Sequence, residues 1–218
     1  MPMSFAKEAR PFVLPVAALA AALFYFRETA WALAAAVLAV GVLLFFRDPR
    51  RRFDGEAGVV LAAADGLVTR VDELEDPAVG PGRFRRVVTF LSVFDVHVQK
   101  TPVEGRVIAS ELTRGRKVAA FRHDAGDLNE KHLTVFERAG GERVGVRQIA
   151  GLVARRVVCY LEPGRQVARG DPLGIIKFGS RVDVLVPEQY EILVSKGDRV
   201  RTAATPIARP AETPAAGP

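Results

Sequence analysis

The chain is poor in the side chains that bind metals or form cross-links. Its 218 residues include one cysteine, three histidines and one tryptophan. A lone cysteine, Cys159, cannot form an internal disulfide, which fits a reducing, cytoplasmic compartment. It stands in an apolar run at 157–160, where a buried structural thiol is the expected role. The scattered histidines show no ligand spacing, so the sequence predicts no metal site.

Charge is missing from two runs near the N-terminus. Residues 12–26 and 31–46 are uncharged and apolar, with 27–30 between them. Each run is shorter than the ~20 residues that usually cross a bilayer. Two interpretations therefore stay open: a tight transmembrane hairpin, or two helices lying partly in one leaflet. A cleaved signal peptide is disfavoured, because a second apolar run follows the first at once.

Basic residues flank this apolar pair on both sides. Lys7 and Arg10 precede it, and Arg47 and 50–52 follow it. Positive charge at both outer ends predicts that both face the cytoplasm. We therefore expect residues 1–52 to be a hairpin anchor with a basic linker in the cell membrane, and the rest to lie on its cytoplasmic side. Aromatic residues do not alternate with the basic ones, so no nucleic-acid partner is expected.

From residue 58 onward, short runs of β-branched and aromatic residues alternate with Gly and Asp turns. This pattern is typical of an all-β barrel or sandwich. Segments 163–175 and 195–207 share one order of features: a glycine turn, a valine, a second turn and a short apolar strand. This order of features resembles the half-motifs of biotinyl and lipoyl carrier domains. Neither segment has a lysine at a hairpin tip between methionines, so the likeness concerns the fold alone.

The expected fold class is therefore mainly β: a flattened β-sandwich or barrel-sandwich domain at 53–207, preceded by the N-terminal α-helical membrane hairpin. Residues 208–218 are Pro- and Ala-rich and predict a disordered tail. Residues 111–131 break the strand pattern and predict a long polar connection that could act as a lid. His123 falls in it and His132 directly follows it, and both are expected to be solvated.

One dipeptide late in the chain, Gly179-Ser180, has the side chain needed for cleavage of its own peptide bond. The serine Oγ can attack the carbonyl of the preceding residue, which turns an amide into an ester. Elimination across the serine Cα–Cβ bond then breaks the chain and leaves a pyruvoyl group as a new N-terminus. Glycine suits the preceding position, since a missing Cβ permits close approach. Alone, however, Gly-Ser more often marks an ordinary turn.

Two further residues could assist Ser180. A hydroxyl needs a base to become a good nucleophile, and His97 is the histidine embedded in a strongly apolar strand. Asp65 stands at a strand-ending turn, where its carboxylate could orient an imidazole by accepting the other N–H. Taken alone, His97 would be a core histidine bonded to backbone, and Asp65 a plain turn residue.

Six short pieces, in one order, connect these residues. The chain resembles the short-chain phosphatidylserine decarboxylases, which are pyruvoyl-dependent enzymes, through Phe45-Phe-Arg-Asp-Pro49, Ala63-Ala-Asp-Gly66, Leu91-Ser-Val-Phe-Asp-Val-His-Val98, Pro102-Val-Glu-Gly-Arg-Val107, Gln148-Ile-Ala-Gly-Leu-Val-Ala-Arg-Arg156 and Ile176-Lys-Phe-Gly-Ser-Arg-Val-Asp183.

The resemblance implies self-cleavage between Gly179 and Ser180, with Asp65, His97 and Ser180 as the self-cleaving triad. A β chain of residues 1–179 would stay with an α chain of residues 180–218, and Ser180 would become the covalent pyruvoyl cofactor. That group would form a Schiff base with phosphatidylserine in the membrane. Loss of CO₂ would then give phosphatidylethanolamine.

The chain departs from long-chain relatives at Lys100, where they carry a second histidine. His97 would then serve both self-cleavage and decarboxylation, or Lys100 or water would serve one step. Arg155 and Arg156 are candidates for the substrate phosphodiester, because guanidinium matches phosphate in a bidentate manner. Neighbours on a strand face opposite ways, so at most one of the two would point into the site.

Two alternatives stay open at this point. A related phosphoserine lipid, such as archaetidylserine, carries the same headgroup and would undergo the same chemistry. A non-catalytic, membrane-tethered, carrier-like adaptor would explain the hairpin and the glycine turns, but not the three candidate residues. A homo-oligomer is compatible with either.

Overall fold

The computed structural model describes residues 3–56, 58–115, 128–151, 157–176 and 180–211, and this part of the chain is mainly β. Its α-helices are α1 (Arg10–Tyr25) and α2 (Thr29–Phe45), and a 3₁₀ turn (Lys7–Ala9) precedes them. The strands are β1 (Met3–Phe5), β2 (Arg47–Pro49), β3 (Val60–Leu61), β4 (Gly66–Glu75), β5 (Arg83–Leu91), β6 (Val98–Lys100), β7 (Gly105–Thr113), β8 (Lys131–Glu137), β9 (Arg143–Ile149), β10 (Val157–Cys159), β11 (Gln166–Val167), β12 (Pro172–Ile176), β13 (Ser180–Pro187), β14 (Tyr190–Ile192), β15 (Arg199–Val200) and β16 (Pro206–Pro210).

The two apolar runs form α1 and α2, as predicted, and the helices pack on each other. Ala32, Ala35 and Ala39 recur every three or four residues on one face of α2 and are buried, because small side chains allow close helix contact. The outer faces expose large apolar side chains. The segment Lys7–Tyr25 is long and apolar enough to cross a membrane, whereas α2 is shorter. Membrane spanning by the pair stays a prediction.

A short ribbon, which the sequence did not predict, closes the base of the helical pair. Strand β1 pairs antiparallel with β2, so that Phe5 lies opposite Arg47. The amide of Ala6 also donates to the carbonyl of Phe46 at 2.9 Å. The chain therefore leaves the helices in a fixed direction, directly towards the β domain.

An eight-stranded sheet, curled into half a barrel, dominates the β domain, in the order β11-β7-β8-β9-β13-β5-β4-β15. Two three-stranded sheets accompany it, β10-β12-β6 and β14-β16-β3. Seven of the eight residues of β13 are buried, on both faces, as expected for a central strand covered on two sides.

The turn pattern shared by segments 163–175 and 195–207 has a structural counterpart. Strand β11 pairs with β7 through Val167 opposite Gly105, and β15 pairs with β4 through Val200 opposite Gly66. The two glycines have φ values of 150° and 152°, and a Cβ on either would collide with a main-chain carbonyl. Each half-motif therefore needs glycine where its edge strand crosses.

Two expectations about the polar segments need correction. Strand β16 runs to Pro210 and Ala208 is fully buried, so the β domain extends past the expected boundary at 207. His132 lies within β8 and is largely buried, because its strand pairs on both sides. His123 and the tail beyond 211 lie outside the described residues.

Candidate active site

Ser180 is the first residue of β13 and lies opposite Leu91, the last residue of β5. It is fully buried, and its Oγ has no hydrogen-bond partner within the described residues. A buried hydroxyl without a partner is costly. Gly179, the other half of the predicted cleavage site, lies outside the described residues.

His97 lies directly before β6 and is also fully buried. Its Nδ1 is 2.9 Å from the main-chain carbonyl oxygen of Asp95. Because a carbonyl can only accept, Nδ1 carries the proton and Nε2 has the free lone pair. That Nε2 is buried and has no partner among the described residues. The imidazole is therefore in the tautomer of a base.

Two strand pairings fix the backbone at Ser180 and next to His97. Ser180 is held against Leu91 in the large sheet, and Val98 pairs with Ile175 in a small sheet. His97 is adjacent to Val98 along the chain, and Ser180 follows Ile175 by five residues. Both candidates are thus connected by short stretches of chain to the paired strands β6 and β12.

The environment of His97 keeps its ring neutral. Burial lowers the pKa of His97 from 6.5 to about 4, and the positive charge of Arg47 acts in the same direction. The carbonyl of Asp95 and the charges of Asp95 and Asp65 oppose this shift. The ring of Phe45, at the end of α2, covers the imidazole with 4.0 Å between ring centroids. At neutral pH the ring can accept a proton.

Asp65 is close enough to influence His97 by charge, but its contacts differ from the expected ones. One carboxylate oxygen accepts the amide of Thr202 at 2.8 Å, and the guanidinium of Arg51 binds both oxygens. The acceptor for the imidazole N–H is instead the carbonyl of Asp95, because the tight turn before His97 aims it at Nδ1. Whether Asp65 takes part in catalysis stays a prediction.

Lys100, at the position of the second histidine in long-chain relatives, is engaged elsewhere. Its Nζ lies 2.8 and 2.9 Å from the two carboxylate oxygens of Asp48. In this arrangement it is a hydrogen-bond donor rather than a base. The contact favours His97 as the proton acceptor.

The segment 45–51, which begins at the last residue of α2, contacts His97, Asp65 and Lys100. Phe45 covers His97, Arg47 donates to the carbonyl of Phe94 at 2.6 Å, Asp48 binds Lys100, and Arg51 binds Asp65. Sequence reasoning treated its arginines as a topology signal and solvated linker. The available signal was the Phe-Phe-Arg-Asp-Pro piece, which mixes apolar and paired charged residues where the second helix ends.

A second polar cluster surrounds Cys159, which is half-buried. The hydroxyl of Ser110 lies 3.9 Å from its sulfur, that of Thr134 lies 3.6 Å away, and both hydroxyls approach His132. Burial alone would raise the pKa of Cys159, but hydrogen bonding with His132 and its neighbours outweighs it and lowers the pKa. The half-buried thiol thus packs against the apolar core, as its apolar run predicts, and also lies beside polar side chains, which the sequence did not predict. Arg155 and Arg156 lie outside the described residues.

Comparison with known proteins agrees with the order of the sequence pieces. The family model for phosphatidylserine decarboxylase matches residues 38–208. A phosphatidylserine decarboxylase proenzyme from Symbiobacterium thermophilum is 42% identical over 206 residues, covering 94% of each chain. One from Nitrosomonas europaea is 38% identical, covering 93% of this chain and 94% of the relative. Another, from Saccharopolyspora erythraea, is 40% identical, covering 91% of this chain and 85% of the relative.

The match includes the end of α2, the site and the last strands of the β domain, and the relatives are aligned over nearly their whole length. Such coverage at this identity cannot come from a shared β architecture alone. The chain belongs to the phosphatidylserine decarboxylase family.

Proposed function

We propose that the chain is a proenzyme that cuts itself between Gly179 and Ser180 and then converts phosphatidylserine to phosphatidylethanolamine. One observation carries this proposal. The Oγ of Ser180 and the Nε2 of His97, the predicted nucleophile and base, are both buried and both lack a partner among the described residues. Unsatisfied buried polar atoms are rare, so a pair at the predicted site favours a reactive role over a structural one.

Self-cleavage follows from the chemistry of these two side chains. His97 takes the proton of the Ser180 hydroxyl, and Oγ attacks the carbonyl carbon of Gly179. The peptide nitrogen leaves and an ester joins the two parts. Loss of the Ser180 α-proton then expels the Gly179 carboxylate from Cβ. The dehydroalanine left at 180 tautomerises, and water replaces its nitrogen as ammonia, which leaves a pyruvoyl group.

The surroundings of Ser180 fit such a group. The Oγ of Ser180 is buried and has no partner among the described residues, so replacing the hydroxyl by a ketone would break no hydrogen bond there. There the pyruvoyl carbonyl would serve, through a Schiff base with the substrate amine, as the acceptor for the electron pair that the departing carboxylate leaves behind. The neutral His97 would then return a proton to the substrate carbon.

Strand pairing would hold the two products of cleavage together. Strand β13 makes antiparallel pairs with β5 and β9, which both belong to the 1–179 part. Within the 180–218 part, β14 pairs with β16. Strand β16 also pairs with β3, and β15 pairs with β4, which both belong to the 1–179 part. The smaller chain thus contributes a central strand that cannot leave without opening the core.

The helical pair gives this chemistry access to its substrate. A diacyl lipid is confined to the bilayer, so an enzyme that acts on its headgroup gains from being anchored in the same membrane. We place the β domain at the cytoplasmic face on the charge pattern. Arg155 and Arg156 remain the proposed partners of the lipid phosphodiester.

The activity is tested with purified protein and phosphatidylserine in mixed micelles. We expect equal amounts of CO₂ and phosphatidylethanolamine, and inhibition by phenylhydrazine, because this reagent traps a ketone. Phosphatidylglycerol, which has no carboxylate, is the control substrate. An archaeal-type ether lipid with the same headgroup, tested in parallel, measures lipid-backbone preference. Absence of CO₂ from both serine lipids would favour the adaptor alternative.

Arg51→Gln is expected to slow self-cleavage about tenfold or more, because Asp65 loses the cation that fixes its carboxylate beside His97. It should also lower the free energy of unfolding by roughly 1–3 kcal/mol, since a largely buried carboxylate loses one partner. The measurement is the time course of chain scission on denaturing gels.

Arg52→Gln is the matched control, since it removes the same charge from the neighbouring, exposed position. The variant should cleave at the parental rate. If both variants cleave equally fast, the ion pair has no role in positioning Asp65 for self-cleavage.

A further inference from the structure

A rigid turn before His97 presents two apolar side chains to solvent. The amide and hydroxyl of Ser92 donate to one carboxylate oxygen of Asp95 at 2.8 and 2.7 Å, and the amide of Asp95 donates to the carbonyl of Ser92 at 3.1 Å. The polar groups of Ser92 and Asp95 therefore bond to each other within the turn. Val93 and Phe94 stand at the tip, 51% and 83% exposed.

This tip, residues 93–94, is joined to the base of the helical pair. The guanidinium of Arg47 donates to the carbonyl of Phe94 at 2.6 Å and to that of Leu44, at the end of α2, at 2.8 Å. Val96, just after the turn, packs in one buried cluster with Phe46 and other residues from the helix ends. The tip and the helix ends therefore form one continuous surface.

We propose that the tip inserts into the membrane interface beside the helical pair and holds the active site at headgroup depth. This inference rests on the proposed function, which places the substrate in a bilayer. The occupant is a lipid surface because the tip continues the apolar outer faces of α1 and α2. Arg47, Arg50 and Arg52 lie at the same end and suit anionic headgroups.

The tip is also connected, through Asp95, to His97, the proposed catalytic base. Asp95 closes the turn with its carboxylate and holds Nδ1 of His97 with its carbonyl. A membrane contact at Phe94 therefore fixes the turn that orients the imidazole. Losing this contact should affect turnover on a bilayer without affecting self-cleavage, which needs no lipid.

Insertion can be measured by fluorescence because the chain has a single tryptophan, Trp31. In a Trp31→Phe background, Phe94→Trp places the probe at the tip of the full-length chain. The protein is reconstituted in vesicles of phosphatidylcholine and phosphatidylglycerol with brominated acyl chains. We expect a blue-shifted emission and strong quenching. Val93→Trp repeats the measurement at the neighbouring position.

Gln189→Trp is the control probe. Residue 189 is exposed and lies just beyond β13, at the opposite end of that strand from Ser180, on the order of 25 Å away. It should stay unquenched in the same vesicles. Tip probes that are quenched no more than this control, or protein that does not co-sediment with the vesicles, would overturn the inference.

A kinetic experiment separates insertion from catalysis. Phe94→Ser should lower kcat/KM about tenfold on vesicles containing phosphatidylserine, because the apolar contact is lost. It should leave kcat/KM unchanged on a short-chain phosphatidylserine dissolved as monomers, and scission should proceed at the parental rate. An equal loss on both substrates would contradict insertion. Quenched tip probes in a protein that releases no CO₂ would support insertion and refute the proposed function.

Discussion

Ser180→Ala is expected to leave the newly made protein as one uncut chain without decarboxylase activity. The substitution removes the only atom that can form the ester with Gly179, so neither chain scission nor a pyruvoyl group can follow. Intact mass spectrometry of the purified protein measures both effects. The parent should give fragments 1–179 and 180–218, the latter starting with a keto group, and the variant a single mass.

The uncut variant should fold as well as the parent. The Oγ of Ser180 is buried and has no partner within the described residues, so its removal costs no hydrogen bond. Ser195→Ala, in an exposed turn, is the matched control and should be cut normally. A Ser180→Ala protein that still decarboxylates phosphatidylserine would refute the pyruvoyl mechanism.

His97→Gln is expected to slow self-cleavage by about 10²–10⁴-fold, the usual contribution of a general base. Glutamine can still donate to the carbonyl of Asp95, which holds Nδ1 in the parent, but offers no basic nitrogen to the serine. The rate of scission in freshly purified protein is the measurement. Lys100→Met in an Asp48→Asn background, which removes both partners of that ion pair, is the comparison. If only this double variant fails to cleave, the base has been assigned to the wrong residue.

The pH dependence of stability gives an independent measurement on His97. The ordinary pKa of histidine is 6.5 and that of His97 in the fold is about 4, so the unfolded chain takes up a proton first as pH falls. The stability that neutral His97 contributes is complete above pH 6.5 and is lost as pH falls towards 4. The loss is about 3 kcal/mol. In the uncut Ser180→Ala background, His97→Gln should flatten the urea-unfolding free energy over this interval.

Several features could be read from the chain because their causes are local. Absence of charge over two runs predicted α1 and α2, and the alternation of apolar runs with glycine turns predicted the β domain. The structure adds why glycine stands at 66 and 105, since a strand crosses each of them at a φ value that favours glycine. Ser180 and His97 stood out because a serine after glycine and a histidine in an apolar strand are unusual settings.

Other features could not be predicted because they depend on residues far apart in sequence. The burial of Ala208 requires β16 to pair with β3 and β14. The burial of His132 requires strands on both sides of β8. Local composition at these positions is polar or Pro-rich, and it gave the wrong expectation in both cases.

The sequence by itself determined the family and the division into an apolar helical pair and a β domain, and it supplied Gly179-Ser180 as the proposed cleavage site. Only the tertiary structure decided how the reactive groups are controlled. In the structure, the carbonyl of Asp95 fixes the imidazole proton on Nδ1, the guanidinium of Arg51 binds the carboxylate of Asp65, and the ring of Phe45 covers His97. The physical reason is that a hydrogen bond's direction and a ring's burial depend on the path of the backbone, which residue identities along the chain do not specify.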